Sequence, residues 1–237
     1  MSLIFRQLFD ASSSTFTYIV GDSSDGSACI IDPVRDNAEL YIRYVSQLQC
    51  RLLLSVETHV HADHISAGDT LRESTGCATR IGKESKVNCS SGFFSDGEKL
   101  QIGAITLVCW YTPGHTEDSY CFYNESTKQL FTGDTLLIRG SGRTDFQNGS
   151  AVHAYKSLQR LLQCSDDTIV YPGHDYHGLT MSTIGEERMY NPRLQFPNEQ
   201  EFVSHMNSLN FPKPERMDIA VPANQACGKI VNNNYIG

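Results

Sequence analysis

Basic residues are scarce in this chain: 19 Lys and Arg stand against 27 Asp and Glu, a net charge of -8. That balance argues against a partner made of nucleic acid, whose phosphates reward clustered Lys and Arg, and no basic stretch offsets it. Long apolar runs are missing as well. The strongest, such as Leu52-Leu53-Leu54, has the length of a buried strand and falls far short of the roughly 18 residues a spanning helix needs, so no membrane partner is expected. The N-terminus shows neither a basic region with an apolar core, as in a secretory signal, nor the Arg- and Ser-rich amphipathic segment of an organellar transit peptide. Eight cysteines are present, at 29, 50, 77, 89, 109, 121, 164 and 227, without a CxxC pair or a regular spacing. A chain of this size needs no disulfide framework, so they read as reduced thiols of a reducing compartment. Cys109 and Cys121 lie in apolar runs, where a thiol acts as a small hydrophobe.

What is present is a globular composition, 40% hydrophobic and 19% charged over 237 residues. One domain covering 1–237, with a short C-terminal extension from about 179, fits that length. Strands are expected at Phe16–Val20, Ala28–Ile31, Leu52–Val56, Ile105–Tyr111, Tyr120–Tyr123, Leu130–Phe131 and Ile169–Tyr171. Helices are expected at Asn37–Gln49, at Ser66–Ser74 with Gly76 as its stop, and at Ala151–Leu162 with Ser150 as N-cap. The last of these carries Val152, Tyr155, Leu158 and Leu162 on one face. The Pro-rich passage from Pro192 to Pro222 reads as mostly irregular. Two batches of strands, each followed by a helix, imply an α/β fold of two sheets between helical layers.

The chemistry concentrates in Thr58-His59-Val60-His61-Ala62-Asp63-His64, directly after an apolar strand. His59 and His61 converge from an extended loop, while Asp63 and His64 come as the chain turns into a helix. Three further candidates each follow a strand: His115 after Thr112-Pro113-Gly114, Asp134 after Phe131-Thr132-Gly133, and His174 after Tyr171-Pro172-Gly173. Imidazole and carboxylate suit Zn, Fe or Mn, and a preceding glycine lets the backbone bend tightly at the site. His153 and His205 stand alone and read as surface or packed histidines. On these residues alone the set suits one metal or two.

The H-x-H-x-D-H loop with the later His, Asp and His resembles the metallo-β-lactamase superfamily, which implies an αββα sandwich of two mixed sheets flanked by helices. Aspartate at 134 is similar to the glyoxalase II branch. The run from Leu136 to Gln147 (LLIRGSGRTDFQ), the run from Tyr171 to Gly178 (YPGHDYHG) and Val221-Pro222-Ala223-Asn224 resemble the persulfide dioxygenases of the ethylmalonic-encephalopathy-protein type. That resemblance implies one non-haem Fe(II) per chain, held by His59, His115 and Asp134, with positions left open for substrate and O₂. His61, Asp63, His64 and His174 then orient those ligands, or else serve a second metal. The reaction implied oxidises the terminal sulfur of glutathione persulfide (GSSH) with O₂ to sulfite and glutathione, a step of sulfide catabolism.

Arg139 and Arg143 follow Asp134 in a Gly-rich loop expected to rim the site. Arg143 is suited either to a glutathione carboxylate or to a salt bridge with Asp145. Tyr176 is suited to the peptide part of glutathione, Asp32 to capping a turn beside the loop, and Cys227 matches a family cysteine near the pocket. The family places the protein in the mitochondrial matrix; the cytoplasm is the alternative, and a homodimer is left open. Two rivals are a glyoxalase II-like thioester hydrolase with a dinuclear metal site and a non-catalytic binding module. The intact ligand set argues against the second.

Overall fold

The computed structural model describes residues 3–229. Its first sheet runs in chain order: β1 (Leu3–Asp10), β2 (Thr15–Asp22), β3 (Ser27–Ile31), β4 (Arg51–Val56), β5 (Ala78–Gly82) and β6 (Gly92–Phe94). The first three strands pair antiparallel, and β3 to β6 pair parallel. The second sheet holds β7 (Lys99–Ile102), β8 (Ile105–Tyr111), β9 (Tyr120–Asn124), β10 (Gln129–Gly133), β11 (Ile169–Pro172) and β12 (Ser182–Thr183), again in order. Here only β10 and β11 run parallel.

Every residue of β2 is buried, because this strand has a sheet partner on each side and a packed layer over each face. Tyr18, Val20, Ile31, Phe94, Leu107, Phe122 and Phe131 fill the space between the sheets. Helices α1 (Ala38–Gln47) and α2 (Gly68–Thr75) cover the outer face of the first sheet through Tyr41, Val45 and Leu71. Helix α3 (Ala151–Leu161) covers the second, capped by the Ser150 side chain, which accepts from the His153 amide. These layers are the αββα sandwich the sequence pattern implies.

Two differences are informative. The inward face of α3 is Ala151, Ala154, Leu158 and Leu161, while Val152 and Tyr155 are half-buried at its flank. Small alanines let the helix approach Gly114, where a Cβ would lie 2.3 Å from the Ala154 backbone. The passage from Pro192 to Pro222 is also more ordered than its prolines suggest. It holds α5 (Glu199–Ser208), capped by Asn198, and the start of α6 (Met217–Gln225), following the short α4 (Ile184–Tyr190). The prolines at 192, 197, 212 and 214 lie outside α5 and punctuate it, and Phe202 and Met206, one helical turn apart, bury against α3 and its sheet. Among the described helices none is long and apolar enough to cross a membrane.

Candidate metal centre

The metal loop leaves the sheet at the end of β4 and is fixed by carboxylates from other strands. Asp32, just past β3, accepts from the Thr58 amide at 2.7 Å and from its hydroxyl at 2.9 Å. Asp118 accepts from the Val60 amide at 2.9 Å, and the Gln147 side chain donates to the Val60 carbonyl. Asp32 was expected to cap this turn; Asp118 was not foreseen, since nothing in its neighbourhood marks it as a partner of a loop 58 residues earlier.

Hydrogen bonds set which ring nitrogen of each histidine is free. Thr58 Oγ1 gives its proton to Asp32, so it accepts from His59 Nδ1 at 2.9 Å and leaves His59 Nε2 unprotonated. His115 Nδ1 donates to the Arg143 carbonyl at 2.8 Å, which leaves His115 Nε2 free, 3.4 Å from Asp134 Oδ2. Asp134 Oδ1 accepts from His174 Nδ1 at 2.7 Å. One ligand atom from each of His59, His115 and Asp134 lies within 4.8 Å of the other two. Two imidazoles and one carboxylate, each steadied by a hydrogen bond on its far side, form a donor set that fits a divalent metal. Space here is tight: a Cβ on Gly142 would come 2.4 Å from the Asp134 carbonyl and 2.7 Å from His115.

Of the other four residues, Asp63, His64 and His174 are engaged with one another. Asp63 Oδ2 accepts from Thr15 Oγ1 at 2.9 Å, His64 Nδ1 at 2.8 Å and His174 Nε2 at 3.0 Å. His174 thus donates to a carboxylate from each nitrogen. Burial alone would lower its pKa, yet Asp134 and Asp63 hold it well above the usual imidazole range. In return, and against burial, the same ion pairs keep Asp63 and Asp134 below the usual carboxylate range. His61 Nε2 faces Asp32 Oδ1 at 3.1 Å and Glu57 Oε2 at 3.3 Å, and those carboxylates raise its pKa against the effect of burial. His59 has no such partner, so burial first, then His61 and His115, press it well below the usual range. His61 Nδ1 and His64 Nε2 are buried without a hydrogen-bond partner. Thr15 and Glu57 carried no sequence signal: neither belongs to the H-x-H-x-D-H loop.

A cleft of about 390 Å³ opens over the centre, lined by Asp63, His115, Asp134, Arg143, Tyr176 and Phe211, among others. That size suits a tripeptide-scale ligand. Tyr176 stacks on His174 with ring centroids 5.9 Å apart. Arg143 forks onto Asp145 at 2.6 and 2.7 Å, donates to the Phe211 and Pro212 carbonyls, and lies over the Phe146 ring. The Asp145 pairing is therefore realised, and Arg143 also pins the 211–214 segment across the cleft mouth. Arg139 is not brought to the cleft. Its guanidinium binds the buried Glu187, together with Glu186 and Ser182.

The cysteines bring a correction. Cys89 and Cys227 are joined by a disulfide across 138 residues, a pairing that spacing could not reveal. Cys227 lines a separate cavity behind the metal loop and is no free thiol at the cleft. Cys109 and Cys121 are buried and their thiols are pushed up to about 12, as expected of small hydrophobes.

A model of the metallo-beta-lactamase superfamily matches residues 12–103 and 110–174, which hold all seven of these His and Asp residues. The chain belongs to that superfamily. "Persulfide dioxygenase ETHE1, mitochondrial" of Bos taurus is 43% identical over 228 residues, 95% of this chain and 89% of the relative. The Homo sapiens protein of the same name has the same identity and coverage. The crystal structure of ETHE1 from Myxococcus xanthus superposes with a TM-score of 0.92 at 44% identity, covering 95% of this chain and all of that one. Within the superfamily, the run from Leu136 to Gln147 that links Asp134 to the cleft wall is thus part of a likeness extending over nearly the whole chain.

Proposed function

We infer that this protein is a glutathione persulfide dioxygenase. The reaction is GSSH + O₂ + H₂O giving glutathione and sulfite: the outer sulfur loses four electrons and dioxygen gains them. The observation that carries the reading is the His59, His115 and Asp134 donor set, of which His115 and Asp134 line the cleft, beside an Asp63 carboxylate tied to Thr15, His64 and His174. It is supported by relatives named persulfide dioxygenases along almost the full chain.

We assign His59, His115 and Asp134 as the ligands of one Fe(II) per chain, and His61, Asp63, His64 and His174 as residues that orient them. Bound there, Fe(II) supplies the redox chemistry by which electrons pass from sulfur to oxygen, which Zn(II) cannot. The protein supplies geometry. Thr58 and the Arg143 carbonyl fix the two imidazole rings, and His174 fixes the Asp134 carboxylate, so the three donors are oriented before substrate enters. Arg143 and Tyr176 are proposed to hold the glutathione portion, whose negative charge needs a local cation in an acidic protein. The whole of 1–237 is proposed to act as one domain, with the residues after 179 closing the cleft, and the relatives' names point to the mitochondrion.

The test runs two substrates with and without air. Glutathione persulfide should consume O₂ and release sulfite, and stop when O₂ is removed. S-lactoylglutathione, which has a carbonyl but no terminal sulfur, should turn over slowly at best. Fast, oxygen-independent thioester hydrolysis with no sulfite from the persulfide would leave a hydrolase as the correct reading.

A further inference from the structure

The metal loop is held from behind by a residue about 160 positions later in the chain. Asn224, on α6, is buried, and its carboxamide is engaged entirely with the backbone of that loop. Its Oδ1 accepts from the Ser66 amide at 2.8 Å, and its Nδ2 donates to the carbonyls of His61 at 2.9 Å and His64 at 2.8 Å. These bonds bracket Asp63 on both sides. Beneath the loop lies a small cavity of about 40 Å³, lined by Glu57, His61, Ser66, Val87, Asn224 and Cys227, so the Asn224 hydrogen bonds hold the loop beside a gap in the packing.

What fixes Asn224 in turn is a small contact set. Val221 and Cys227 pack with Val60, Ile81, Val87 and Cys89. The chain reverses after α6 through Gly228, whose carbonyl accepts from Arg35, and the Cys89–Cys227 disulfide ties this reversal to the segment between β5 and β6. We propose that Asn224 is a positioning residue for the metal-binding loop and that the Cys89–Cys227 disulfide keeps it in register, so that reducing the disulfide weakens the centre's hold on its metal. A phosphine would supply the two electrons: it becomes a phosphine oxide with oxygen from water, and the disulfide becomes two thiols. The inference rests on the metal reading of the centre and not on its substrate.

The test compares Asn224→Asp, Asn224→Ala and Cys89→Ser with the wild type. It reads metal release to a chelator from the holoenzyme, and amide exchange over 59–66 with and without metal. Asn224→Asp keeps the side chain's size but turns a donor that served two carbonyls into a repelling oxygen, whereas alanine leaves room for water. Release should therefore be about tenfold faster for Asn224→Asp than for the wild type, and faster than for Asn224→Ala. The Ser66 amide should stay protected in Asn224→Asp, whose carboxylate still accepts, and lose protection in Asn224→Ala. Phosphine should speed release from the wild type and leave Cys89→Ser, already fast, unchanged. A space-filling role predicts the reverse order of the two Asn224 variants, and that result would overturn the proposal, as would a wild type indifferent to phosphine. Should Asn224→Asp fail to fold, the phosphine-treated wild type decides the matter. Loop amides that loosen without metal while the chain binds none would refute the metal reading and not the brace.

Discussion

The centre has two halves that look alike in sequence and differ in structure. His59, His115 and Asp134 each use one side of the ring or carboxylate for a protein hydrogen bond and keep the other for the site. Asp63, His64 and His174 close on one another, with Thr15 completing the knot. Residue types alone cannot separate these halves, because both are imidazoles and carboxylates suited to the same metals. What distinguishes them is the partner of each group: His59 Nδ1 and His115 Nδ1 donate to neutral oxygens, whereas His174 lies between two carboxylates.

The largest way to break that comparison is to exchange the halves by mutation. Asp134→Ala should lose its metal and its activity by more than about a hundredfold, the upper end for residues that merely support a ligand. Asp63→Ala should keep most of its metal, since its carboxylate serves His174, His64 and Thr15. Metal analysis of both variants checks this, and equal loss in both would favour a dinuclear site.

A smaller effect sharpens the account at the cleft. Arg143→Ala should raise the Michaelis constant for glutathione persulfide by an amount worth roughly 1–3 kcal/mol, with metal content intact. Metal should survive because His115 is held by the Arg143 backbone carbonyl, which alanine retains. Loss of metal in steady-state samples would make the side chain structural. Arg139→Ala should behave differently, leaving the Michaelis constant alone and lowering stability by roughly 1–3 kcal/mol, because it strands the buried Glu187 carboxylate. Denaturant unfolding beside steady-state kinetics distinguishes the two arginines.

Much of this was legible beforehand, and the reasons are local. Asp32, the H-x-H-x-D-H loop, His115, Asp134 and His174 all sit where an apolar strand ends, a pattern that alternation and glycine placement expose directly. Ser150 as N-cap and Gly76 as helix stop are equally local. The two arginines were indistinguishable because their fates depend on Asp145 and on Glu187, one near in sequence and the other 48 residues away. Thr15, Asp118 and the Cys89–Cys227 link were illegible for the same reason: each acts through a partner that only the closed sandwich brings near. The C-terminal helices were obscured by prolines that in the fold lie mostly between helices.

The account is tested most directly by the metal content of protein purified without added metal. The proposed ligand set, with the likeness to persulfide dioxygenases, predicts close to one iron per chain and little zinc. Two tightly held zinc ions per chain would contradict the division of the centre into ligands and supports, and with it the dioxygenase reading.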